Sequence, residues 1–202
     1  GREFIGNGDE RGYKAMRALI EVHTGAVYHW LGNLDQAADH YQVGIALAEQ
    51  LDNPVIAAQA EGCNGLGVIC DARGQIDQAI GYFTRALQIW RVLGDEYEAT
   101  RVQENLGNAY FYRNDWALAE TNYQQGLTFW ERIEDRHHIS FSLVNLGGVH
   151  LCQGQWSAAE QCYARALELW EAVGEVRMTA LAYINLGRLA LARRMLPAAH
   201  TH

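Results

Sequence analysis

The sequence predicts an all-α fold, a stack of antiparallel helix pairs, on three observations. First, Leu-Gly recurs at 66–67, 106–107, 146–147 and 186–187, a constant step of 40 residues. A fixed period of about 20–50 residues marks a repeat architecture, in which each unit buries its apolar face on its neighbour. Second, Ala79, Phe83, Ala86, Trp90 and Leu93 run i, i+4, i+7, i+11, i+14, one stripe at the helical period. Third, the stripes are interrupted at fixed places, by Gly74-Gln75 before this one and Gly94-Asp95 after it. Glu134-Asp135 and Gly174-Glu175 echo the second break, and a glycine or an acid there suits a helix stop followed by an acid-rich helix start.

Several further columns keep the step of 40. They are Ala79, Ala119, Ala159 and Ala199; Phe83, Tyr123 and Tyr163; Ala86, Gly126 and Ala166; Trp90, Trp130 and Trp170; and Leu93, Ile133 and Val173, which close the unit. An earlier copy fits with a shift of two residues, as Gly25, Ala37, Tyr41, Gly44 and Leu51. The helix pairs fall at about 10–51, 52–93, 94–133, 134–173 and an incomplete 174–202, a single domain over 1–202 of about four and a half to five repeats. Each helix is expected to hold about 17–20 residues. Arg2 to Asn7 reads as the tail of a preceding unit. Leu196-Pro197-Ala198-Ala199 reads as the start of a second helix that stops at His202, with Pro197 suited to a first turn. The chain is therefore read as a segment of something longer, with its cut last repeat open to self-association.

Gly67, Gly107, Gly147 and Gly187 follow the repeated leucine. Without side chains there, the first helix of a pair is expected to lie close against the alanine column of the second. That close packing offsets the roughly 1 kcal/mol that glycine costs a helix relative to alanine. The tryptophans are expected where the second helix meets the following repeat.

Small residues at the eighth, twentieth and twenty-seventh places of the unit, with an aromatic at the twenty-fourth, resemble the tetratricopeptide repeat. Asn105-Leu106-Gly107-Asn108-Ala109-Tyr110 is a close match, and the similarity covers about residues 10–202. The unit here is 40 residues where the common form has about 34, and the usual proline at its end is missing. Both departures imply longer helices. They resemble the subclass found in spindle-orientation adaptors, kinesin light chains and the sensor regions of large bacterial ATPase regulators. The resemblance implies a right-handed superhelical solenoid whose first helices line a concave groove.

Composition narrows the function. The net charge is −8 and the pI about 5.4. No basic stripe is visible for displacing the counterions of a nucleic acid, so direct nucleic-acid binding is not expected. No run approaches the roughly 20 apolar residues that span a bilayer, and no signal-peptide core follows Gly1-Arg2-Glu3-Phe4. Cys63, Cys70, Cys152 and Cys162 form no CxxC pair and have no matching histidine spacing, which suits buried free thiols and a reducing cytoplasm. Gly62 to Gly67 is glycine-rich but lies inside a helical repeat, so it is no phosphate loop. His137 and His138 read as a solvated turn, His150 as a packing residue in the column of Tyr110, and His200 and His202 as a frayed end. No nucleophile comes with an evident base. No enzyme activity, metal or cofactor is expected.

One polar column stands out. Asn105, Asn145 and Asn185 precede the Leu-Gly pair at the same place, while His23 takes that place in the first unit and Asn64-Gly65 interrupts it in the second. Residues four before, three after and seven after share the helix face. In the third unit these are Arg101, Asn108 and Tyr112; in the fourth Phe141, Gly148 and Cys152; in the fifth Leu181, Arg188 and Ala192. Relatives that grip extended peptides resemble this chain in placing asparagine there, and an amide offers the donor and the acceptor that a peptide backbone needs. The candidate partner-binding residues are Arg101, Asn105, Asn108, Tyr112, Phe141, Asn145, Asn185 and Arg188. The same amides would also serve as bridges between neighbouring helices. The leading expectation is a module that holds a protein or peptide, either of a partner or of its own parent chain. Its rivals are a small-molecule sensor within a bacterial signal-transduction ATPase or transcription regulator, and an architectural spacer.

Overall fold

The computed structural model describes residues 3–51 and 56–199, with side chains over 10–51 and 56–193. The described residues form helices and no strand: α1 (Glu3–Trp30), α2 (Leu34–Glu49), α3 (Ile56–Ala72), α4 (Ile76–Leu93), α5 (Glu96–Tyr112), α6 (Trp116–Arg132), α7 (Arg136–Cys152), α8 (Trp156–Val173) and α9 (Val176–Ala199). Contacts divide the chain into two compact units, Gly1–Ala109 and Tyr110–His202.

In the first unit α1 packs on α2, α3 on α4, and α2 on α3, while α1 also reaches α3. Small residues make this closeness attainable, and Ala18, Ala37, Ala58, Ala79 and Ala86 are each wholly buried. A side-chain carbon added to Gly67 would lie 2.5 Å from the Phe83 ring, and one added to Gly65 would overlap the ring of Tyr41. The repeated glycine thus makes room chiefly for the aromatic column of the second helix. In the earlier copy Gly25 lies against both columns, a side-chain carbon there falling 2.9 Å from the Tyr41 ring and 3.1 Å from the Ala37 carbonyl oxygen. A bulky ring on one helix requires a missing side chain on the other.

The second unit repeats the device. Gly147 faces the Tyr163 ring at 2.5 Å from where its side chain would begin, whereas Gly187 has nothing within 4 Å. Tyr123, Trp130, Leu143, Leu146 and Trp170 form the main core with Ala182 of α9, and Ala159, Tyr163 and Leu189 form a second cluster. The tryptophans lie where expected, Trp130 of α6 stacking on His138 of α7 with centroids 4.2 Å apart.

Helix ends follow the local chemistry. Gly94 and Gly174 close α4 and α8 in the left-handed region, at φ 73° and 70°. There the amide of Asp95 reaches back to the Trp90 carbonyl at 3.1 Å and that of Glu175 to the Trp170 carbonyl at 3.0 Å. In the same column Glu134 adopts φ 58° without being glycine. Asp95 and Asp135 then cap the next helices, accepting from the backbone N–H of Glu98 at 3.0 Å and of His138 at 3.1 Å.

Four expectations are corrected. Leu93, Ile133 and Val173 do not close the buried stripe, being 42%, 44% and 60% exposed, because the helix stops there and the turn carries the side chain into solvent. Residues Glu3 to Asn7 belong to the 28-residue α1 and are no separate tail, while Arg2 lies outside the described residues. No turn precedes Leu196, since α9 runs unbroken for 24 residues to Ala199. The column that holds Gly74, Asn114 and Gly154 at positive φ has Arg194 there, which has no reason to leave the right-handed helix. His200, His202 and the side chains of Leu196, Pro197, Ala198 and Ala199 lie outside the described residues. Finally, Cys63 and Cys70 are buried as expected, but Cys162 is half-buried and Cys152 exposed. Burial pushes the Cys63 thiol up to about 11, so it stays protonated and packs as a small apolar group.

Candidate functional site

The first helices of three successive pairs, α1, α3 and α5, border a cleft of about 530 Å³ in the first unit. Val22, Ala26 and His29 come from α1, and Glu61, Asn64, Gly65 and Val68 from α3. Glu98, Arg101 and Asn105 come from α5, while Tyr41 and Trp90 reach it from the second helices. The helical period produces this: within α3 and α5 the lining residues recur at steps of three and four, so each helix turns one stripe toward the cleft. Tyr41 and Trp90 are 4% and 5% exposed and belong to the core beneath. Gly65 lets the Tyr41 ring rise to the cleft wall.

Its polar groups are connected. The Asn105 amide donates to Asn64 Oδ1 at 2.9 Å. Arg101 Nη1 donates to both carboxylate oxygens of Glu98, at 2.9 and 3.0 Å. His23 Nε2 stands 3.8 Å from Glu61. Burial raises the Glu61 carboxyl above its usual range; His23 and Arg101 pull it back, and the Glu98 carboxylate pushes it further up.

Two of the predicted residues, Arg101 and Asn105, are thus brought to one cleft. Asn108 is half-buried on the same helix and already engaged. The others lie in the second unit. Tyr112 is 63% exposed, its ring 6.0 Å from that of Phe111. Phe141 is half-buried, with its centroid 4.8 Å from His137 and 5.9 Å from Trp170. Asn145 is half-buried and engaged, Asn185 is half-buried, and Arg188 is exposed with its charge near the Tyr163 hydroxyl. His138 is no solvated turn residue: it stacks on Trp130 and its Nδ1 lies 2.9 Å from Asp135 Oδ2.

Sequence reasoning missed Glu61, Asn64 and Glu98. Glu61 stands four residues before Gly65, as Arg101 stands four before Asn105, so the same offset applied to the second repeat would have found it. Asn64 looked like a break in the amide column because it sits one place early. The bond to Asn105 shows that a one-residue shift still brings the two amides together.

The Tetratricopeptide repeat family model matches residues 55–132 and 138–202. No curated protein matches. Among solved structures, BtubC from P. vanneervenii is similar at TM-score 0.74 and 19% identity, over 88% of this chain and 73% of that one. The apo form of RapI has a TM-score of 0.77 and 17% identity over 91% of this chain and 66% of its own. Aspartyl phosphate phosphatase F from Bacillus subtilis has 0.75 and 14%, over 98% and 51%. TPR-like repeats of a putative kinesin light chain from Podospora anserina give 0.68 and 16%, over 93% and 94%. At these identities the likeness is one of fold, and the chain spans about half to three quarters of the first three. With a family match over most of its length and helix pairs stepping by 40 residues, the chain belongs to the tetratricopeptide repeat family.

Proposed function

We propose that the chain is a protein-interaction module that holds an extended segment of a partner along the cleft between α1, α3 and α5, without chemistry on it. One observation carries this reading: three successive first helices place amide and charged groups over an apolar wall in a single cleft of about 530 Å³. The bond between Asn105 and Asn64 uses one donor and one acceptor. It leaves the Asn105 carbonyl oxygen and the Asn64 amide nitrogen to complement a peptide backbone. Glu61 and Arg101 side chains, 44% and 48% exposed, keep the cleft accessible from solvent, which suits a chain segment better than an enclosed small molecule. In the second unit Asn145 and Asn185 stand at the same place of their own repeats and are further candidate contacts. A reducing cytoplasm suits the free cysteines.

The test begins with crosslinked capture of a partner from native extract, followed by titration of that partner against variants. Ala26→Trp should plug the cleft and abolish binding. The combined change of Asn105, Asn145 and Asn185 to alanine should weaken it at least about tenfold, each lost amide contact costing roughly 0.5–1.5 kcal/mol. A partner that binds the plugged variant as tightly as the parent would place recognition on another surface.

A further inference from the structure

We propose that this cleft selects a segment carrying an arginine or lysine, whose charged head is received by Glu61 beside Glu98. The proposal rests on the reading above, that the cleft takes a partner segment, and adds what that segment must carry.

The charge count in the cleft is uneven. Its lining holds two carboxylates, Glu61 and Glu98, against one guanidinium, Arg101, with His29 as the remaining titratable side chain that could be cationic. Arg101 is committed to Glu98, with both oxygens of that carboxylate within 3.0 Å of one guanidinium nitrogen. Glu61 has His23 at 3.8 Å, an imidazole that is charged only if protonated and whose side chain is 69% exposed. Arg101 also acts on Glu61 from a distance but is bonded to Glu98, so the half-exposed Glu61 carboxylate keeps acceptor capacity that an entering cation can use.

The walls fit the rest of such a side chain. Val22, Ala26 and Val68 offer apolar surface beside Glu61, where three or four methylene groups can lie while the charged head reaches the carboxylate. An acidic segment would meet two carboxylates instead. The chain's net charge of −8 works in the same direction, favouring the approach of basic segments.

Glu61 also occupies a telling column. One turn before the amide place the repeats carry Glu61, Arg101, Phe141 and Leu181: acid, base, aromatic and aliphatic on one scaffold. Framework columns keep their residue type because packing demands it. Of these four, Glu61 and Arg101 line the cleft, and there a place that changes character between repeats is where specificity is set.

A random-sequence peptide library displayed on phage, selected on the purified chain and counter-selected on Ala26→Trp, tests this. The expected result is a consensus with arginine or lysine at one fixed position. Synthetic peptides of that consensus should bind Glu61→Gln roughly tenfold or more weakly. Glu61→Lys should reverse the preference, accepting the peptide with glutamate in place of the cation. Thermal melts establish that the variants fold, and should Glu61→Gln fail, Glu98→Gln reads the same loss. A consensus without a cation, still blocked by Ala26→Trp, would overturn the charge assignment and leave the groove reading standing. Peptides indifferent to Ala26→Trp, or no enrichment at all, would overturn the groove reading and this proposal with it.

Discussion

The α3 and α5 helices of the first unit and the α7 helix of the second carry the same repeat and differ where it matters for binding. In the first, the column one turn before the amide place holds Glu61 and Arg101, charged side chains beside an open cleft. In the second it holds Phe141, whose ring packs near His137 and Trp170. The framework beneath is alike: Phe83 over Gly67 in one unit, Tyr163 over Gly147 in the other, each ring 2% exposed. Close packing fixes the framework columns, while the other column meets solvent at Glu61 and Arg101 and neighbouring rings at Phe141, so its residue type varies. The two regions therefore share how they fold and differ in what they can hold.

The largest expected effect concerns the shared framework. Gly67→Leu and Gly147→Leu should each lose about 1–3 kcal/mol or more in chemical denaturation, because the new side chain would occupy the space of a buried ring. Gly187→Leu should not destabilise and should gain up to about 1 kcal/mol of helix propensity, having open space around it inside α9. Equal behaviour of all three would mean that the repeated glycine has no packing role.

Next comes the cleft column, where the comparison is sharpest. Phe141→Ala should cost about 2 kcal/mol by thermal or chemical melting, less than a fully buried phenylalanine, while Arg101→Ala should stay within about 0.5 kcal/mol. A costly Arg101→Ala would show that the first unit uses this column for folding too.

The turn column gives an effect of about 1 kcal/mol and of predictable sign. Glu134→Gly should stabilise, because glycine takes φ 58° without steric cost, and Gly94→Ala should destabilise by a similar amount at φ 73°. Melting temperatures moving the other way would break the equivalence of the two turns.

A cap effect of similar or smaller size carries a pH signature. Burial pushes the Asp135 carboxyl up, but the bonds from the His138 backbone and ring and the nearby imidazoles outweigh it, leaving the folded value below the ordinary one. A depressed carboxylate contributes stability that is fully present above its unfolded value of about 3.9 and is lost as pH falls through the folded value. Asp135→Ala should therefore lose about 1 kcal/mol at neutral pH, and the gap to the parent should narrow only below about pH 4. A gap that does not change with pH would assign the cap's worth to geometry alone.

The smallest effect is expected at the surface ion pairs between second helices, Arg85 with Glu49 in the first unit and Arg165 with Glu131 at 2.7 Å in the second. Being solvent-exposed, each should contribute between about 0 and 1 kcal/mol, less at high salt, as double-mutant cycles would show.

The sequence by itself determined the helices, their pairing and the repeat. Those features rest on local rules: a 3.6-residue stripe makes a helix, a glycine or aspartate at a fixed place stops and restarts it, and a step of 40 states that the units stack. Local rules also explain the miss at α9, since the break expected before Leu196 was inferred from the repeat although Arg194 stands where its equivalents are Gly74, Asn114 and Gly154. Only the tertiary structure decided which polar residues meet. Asn64 and Asn105 are 41 positions apart and one place out of register, and no periodicity predicts their 2.9 Å bond. The surroundings of Glu61 were decided the same way, by the packing that brings the Arg101–Glu98 pair and His23 near it. The physical reason is that helix formation depends on neighbours within a turn, whereas a cleft is made of side chains that only packing brings within reach.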